Sequence, residues 1–78
     1  MGQAALDNVQ AAYGLTDRER DVLELLARGY TQKSIADELS LALNSVRTYA
    51  KTLYLKLGVH SRQEVIEFMN HKMGDKPN

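Results

Sequence analysis

The chain has 78 residues, no cysteine, and ten basic residues balanced by ten acidic ones, for a formal net charge of zero. A chain this short makes one small domain that buries only about 60% of its unfolded surface, and without thiols neither a disulfide nor a thiolate metal site can staple it. No apolar run approaches the roughly 18–20 residues that span a bilayer, and no signal-peptide pattern opens the chain, so with the missing cysteines the expected compartment is the cytoplasm.

Residues 1–14 are weakly patterned: Leu6, Val9 and Tyr13 have helical spacing but Gly14 interrupts them, and the stretch reads as a linker, an expression remnant or a frayed helix. A firm helix is predicted over about 16–28. Thr16 and Glu19 have the spacing of a reciprocal capping box, Leu15 stands at the staple position, and Val22, Leu23 and Leu26 form an apolar stripe. Gly29 suits the left-handed residue beyond the helix end. Thr31 is a candidate cap for a shorter helix over 32–39, with Ile35, Ala36 and Leu39 facing inward. Ser40 to Leu43 leave room only for a tight turn. The next helix, over about 43–57, starts at Leu43 or Asn44, is roughly 20 Å long and stops at Gly58. Ser61 and Glu64 form a second capping box opening a helix over 62–72, whose apolar side is Val65, Ile66 and Met69. Residues 73–78 read as a disordered tail. The predicted fold is all-α, a compact four-helix bundle containing a helix-turn-helix.

The zero net charge is unevenly spread. Residues 39–63 hold Arg47, Lys51, Lys56 and Arg62 and no acid, whereas residues 1–38 carry seven acids against four bases. Local field rather than net charge governs attraction to a polyanion. Within the 43–57 helix, Arg47, Thr48 and Lys51 share one face while Val46, Ala50, Leu53 and Leu57 share the other. Arginine bonds bidentately to guanine O6 and N7, and a threonine methyl meets the thymine methyl, so this face has the chemistry of a groove reader. Nothing points to catalysis or to a cofactor. His60 and His71 lie eleven residues apart with no cysteine to complete a metal site, and Glu19, Glu24, Asp37 and Glu38 read as surface helix charges with no nucleophile or phosphate loop nearby. Tyr13, Tyr30 and Tyr54 are expected to cover the core, and Phe68 takes no assignment.

The run Leu15-Thr16-Asp17-Arg18-Glu19-Arg20-Asp21-Val22-Leu23 resembles the L-T-x-R-E-x-x-V/I-L opening of LuxR-type (FixJ/NarL-type) DNA-binding domains. The likeness continues through Ala27-Arg28-Gly29-Tyr30, Lys33-Ser34-Ile35-Ala36 and Ser45-Val46-Arg47-Thr48-Tyr49, and closes with Lys56-Leu57-Gly58-Val59-His60-Ser61-Arg62. It covers about residues 15–72 in order and without gaps. The resemblance implies the C-terminal effector domain of a bacterial transcription regulator, following a receiver, ligand-binding or membrane-embedded sensor domain. It implies sequence-specific binding of double-stranded promoter DNA, a homodimer on that DNA, and RNA polymerase as a further partner. By position it gives Arg47, Thr48 and Lys51 to base edges, Lys33, Ser45 and Tyr49 to the DNA backbone, and Val59, Arg62, Val65, Ile66 and Met69 to the dimer. Val65, Ile66 and Met69 must also serve the core of so small a domain, so only one or two of them are expected at the surface.

Three positions depart from the family pattern. Ala42 replaces the usual Ser or Thr and deprives the 43–57 helix of a preferred cap, with Asn44 as the alternative. Leu43 replaces a commonly polar residue, as a loose end, a packing contact or a groove contact, and Tyr49 replaces the commoner histidine. Two other readings share these features: a sigma-factor promoter-reading region, which normally ends near its reading helix, and an interaction module whose basic helix meets an acidic protein.

Overall fold

The computed structural model describes residues 2–72; the predicted tail, 73–78, lies outside them. Among the described residues the chain is all-helical, with α1 at Gln3–Tyr13, α2 at Asp17–Ala27, α3 at Gln32–Leu39, α4 at Leu43–Leu57 and α5 at Arg62–Lys72. The four expected helices are α2 to α5, and the count of four is one short. The stretch read as a linker contains α1, which buries Leu6 and Val9 completely or nearly so. Leu6, Val9 and Tyr13 were already at helical spacing. Gly14 does not break that helix but ends it, adopting φ 67°.

Local chemistry explains the boundaries. Thr16 Oγ1 accepts from the Glu19 N–H at 3.1 Å while the Glu19 carboxylate accepts from the Thr16 N–H at 2.9 Å, so the first capping box is complete. At the other end of α2, Gly29 takes φ 95°, and the N–H groups of Tyr30 and Gly29 reach back to the carbonyls of Leu25 and Leu26, each at 3.0 Å. That paired closure is a Schellman arrangement, which needs a residue tolerant of positive φ after the helix. Thr31 caps α3 through the Ser34 N–H at 3.0 Å. At α5 the Ser61 hydroxyl accepts from the Glu64 N–H at 3.2 Å, but the Glu64 carboxylate turns to the His60 N–H at 2.9 Å instead of the expected Ser61 N–H.

Helix α2 is the hub and packs against each of the other four. Its Val22, Leu23 and Leu26 meet Ile35 from α3, Val46, Ala50, Leu53 and Leu57 from α4, and Val65 and Met69 from α5 in one buried cluster. The α4 residues recur at intervals of four, three and four, so they form one continuous stripe facing the core. Arg20 straps α1 onto this body: its guanidinium donates to Asp7 Oδ1 at 2.5 Å, Gln10 Oε1 at 2.9 Å and Gln3 Oε1 at 2.6 Å. Tyr13 meets Phe68 of α5 edge-on at 5.4 Å between ring centroids, which gives Phe68 its place.

Candidate nucleic-acid interface

Helices α3 and α4 are joined by Ser40, Leu41 and Ala42. The turn closes through Ser40 at φ 56° and a Leu41 N–H to Ala36 carbonyl bond of 2.9 Å. Ser40 is the one non-glycine residue with positive φ among the described residues, a conformation that costs an L-residue roughly 1–2 kcal/mol. Leu41 is half-buried against the core. Helix α4 starts at Leu43 with Ala42 as its N-cap and no side-chain capping bond. The alternative start at Asn44 is therefore not taken. Asn44 lies inside the helix, where Arg47 Nη1 donates weakly to its Oδ1 at 3.5 Å.

Arg47, Thr48 and Lys51 are all exposed on the side of α4 opposite its buried stripe. The Thr48 hydroxyl donates to the Asn44 carbonyl at 3.1 Å, which occupies its proton within the helix. What Thr48 then offers outward is chiefly its methyl group. Lys33 is exposed one residue into α3, while Ser45 and Tyr49 are half-buried, Tyr49 against the core. The cleft beside α4 brings Gln32, the neighbour of Lys33, together with Arg47 and Lys51.

The pairing of the cations separates two sets. Arg18 pairs with Asp21, Arg20 with Asp7, Arg28 with Glu24 and Lys56 with Glu19. Among the described residues, no carboxylate pairs with Lys33, Arg47, Lys51 or Arg62. Lys56 thus leaves the basic surface to which the sequence assigned it. Its Nζ donates to Glu19 Oε1 at 2.7 Å and to the Gly14 carbonyl at 2.9 Å. Glu19 in turn is not a surface charge but is 5% exposed. Burial acts to raise its carboxyl pKa and is the largest single influence. The hydrogen bonds from Lys56 and Thr16 and the Lys56 charge together outweigh it and hold the group below its ordinary value. No local sequence signal marks this pair, because its members lie 37 positions apart.

The five residues expected at a dimer surface divide as well. Val65 and Met69 have no accessible surface and belong to the core, because they fill the space between α5 and α2. That removes both from any partner contact in this fold. Val59 and Ile66 are half-buried and Arg62 is exposed. Arg62 stands near Tyr54, whose hydroxyl is pushed up by burial and pulled the other way by the Arg62 charge. His60 is nearly fully exposed beside Glu64, and no group of residues suited to a metal ion occurs among the described residues. No helix among them is long and apolar enough to cross a membrane.

Comparison with known proteins agrees with this geometry. Residues 13–69 match the family described as bacterial regulatory proteins, luxR family. The chain is 41% identical over 64 residues to the DNA-binding transcriptional activator DevR/DosR of Mycobacterium tuberculosis, covering 82% of this chain and 30% of that protein. It is 45% identical over 53 residues to the HTH-type transcriptional regulator MalT of Yersinia pestis, covering 68% of this chain and 6% of that one. The chain thus spans less than a third of either relative. No solved structure gives a significant match. On its family match and on the helices that carry it, the chain belongs to the luxR family of bacterial regulatory proteins and is a helix-turn-helix DNA-binding domain of a transcription regulator, not an enzyme.

Proposed function

We propose that α4 enters the major groove of double-stranded promoter DNA and reads its sequence through Arg47, Thr48 and Lys51. The observation that carries this reading is the division of the cations: Arg47, Lys51 and Lys33 have no carboxylate partner within the described residues, whereas the cations of α2 and the end of α4 are paired. Unpaired cations keep their full attraction for phosphate and base edges and release counterions on binding. Lys33, Ser45 and Tyr49 hold the backbone and set register, whereas Arg47 and Thr48 discriminate between bases.

Two copies bind half-sites about one helical turn apart and meet through Val59, Arg62 and Ile66, the surface-reaching members of the expected set. In the full-length protein an upstream sensor domain, such as the receiver of a response regulator, controls when two copies meet. RNA polymerase is the further partner at the promoter, and the compartment is the cytoplasm, with a membrane anchor only if the sensor domain supplies one. The test is Lys33→Ala measured by fluorescence anisotropy on several duplexes across a salt series. The reading expects weaker binding to all of them and a salt slope flatter by about one unit. Loss confined to one duplex would contradict the backbone role of Lys33.

A further inference from the structure

We infer that the cleft running along α4 from the start of α3 to the α4–α5 connection seats a flanking stretch of one DNA strand, with Leu55 as an apolar contact to its sugars. This rests on the reading of α4 given above and extends it. Leu55 is 75% exposed, the large hydrophobic residue most open to solvent among those described. It follows Lys51 by four positions and Arg47 by eight, so it continues the stripe of the reading face roughly 12 Å along the helix. It does not close the core, whose stripe runs on the opposite side through Leu53 and Leu57.

The cleft holds about 300 Å³; Gln32, Arg47, Lys51, Tyr54 and Leu55 line it, and Val59, at its far end, is the edge it shares with the surface proposed for the second copy. No carboxylate lines it. A lining that sets the exposed apolar Leu55 beside the exposed cations Arg47 and Lys51 fits a sugar–phosphate strand, whose deoxyribose rings present carbon and whose phosphates lie outside them. Arg47 and Lys51 belong at once to this cleft and to the reading face, so an occupant continuous with the DNA in the groove satisfies both without competition. An acidic protein segment would have to displace that DNA.

The test uses the whole chain with Leu55→Lys and Leu55→Glu, measured on a duplex bound by the unaltered protein, with Arg47→Ala alongside. Leu55 is exposed, so both variants should fold, and circular dichroism melting checks that they do. Leu55→Lys should tighten binding and steepen the slope of log affinity against log salt by about 0.9, one added phosphate contact. Leu55→Glu should weaken binding severalfold on every sequence. If both Leu55 variants bind as the unaltered protein does while Arg47→Ala weakens binding, the cleft lies off the DNA and falls open to an acidic protein segment, and the proposal is overturned with the reading of α4 intact. If Arg47→Ala is also without effect, the reading itself fails and this proposal with it.

Discussion

Lys56, in the last turn of α4, donates to Glu19, in the first turn of α2, across 2.7 Å and at the same time to the Gly14 carbonyl that ends α1. One ammonium therefore ties three helices together at the end of the bundle away from the α3–α4 turn. Because Glu19 is also the reciprocal member of the α2 capping box, a single carboxylate serves both the start of a helix and the packing of two others.

Replacing Lys56 by methionine should lower stability by about 1–3 kcal/mol, since it leaves a buried carboxylate without its strongest partner. The pH dependence follows from the lowered pKa of Glu19. A folded-state value below the unfolded one gives stability that is fully present above the ordinary carboxylate pKa near 4.5 and is lost as pH falls toward the folded-state value. Urea melts between neutral pH and pH 3 should show that acid loss in the unaltered chain and a smaller one in Lys56→Met. Identical profiles would remove the ion pair from the acid response.

Helix α1 is predicted to be part of the folding unit although the family match begins only at residue 13. Leu6→Ala should cost about 2–5 kcal/mol, the range for truncating a fully buried leucine. A change within a few tenths in chemical denaturation would show that α1 docks without contributing.

Ala42 has the extended backbone of an N-cap, φ −69° and ψ 147°, but no side chain able to accept a bond from the first turn of α4. Ala42→Ser should raise stability by about 1 kcal/mol. No gain in thermal or urea melts would mean that the first turn of α4 is satisfied by water as it stands.

Ser40→Gly should also stabilise, by up to about 1 kcal/mol, because glycine adopts the positive φ of the turn without a Cβ penalty. Ser40→Val should do the reverse. If valine is tolerated as well as serine, the turn does not hold that conformation in solution.

Most of the fold was legible because it rests on local signals. The two-faced periodicity of residues 43–57 marked both the buried stripe and the exposed Arg47, Thr48 and Lys51, and the threonine caps at 16 and 31 placed two helix starts. What sequence reading missed is non-local or read against a strong punctuator. Gly14 looked like an interruption, although a glycine just past Tyr13 is equally a stop, and only the core formed by the other four helices makes α1 pay. The burial of Glu19 and the diversion of Lys56 depend on contacts across 37 positions, which no spacing rule reveals. Val65 and Met69 were marked as apolar, but which neighbour claims them, the core or a second copy, depends on how α5 lies on α2.

Arg47→Ala tests most directly whether α4 reads base sequence. Anisotropy titrations of the unaltered chain and the variant, on duplexes of different sequence and across a salt series, are the measurement. The account predicts salt-sensitive binding that the substitution weakens by about 1–3 kcal/mol on the preferred duplex and much less on the others. A variant that binds every duplex as the unaltered chain does, within a few tenths of a kcal/mol, would contradict it.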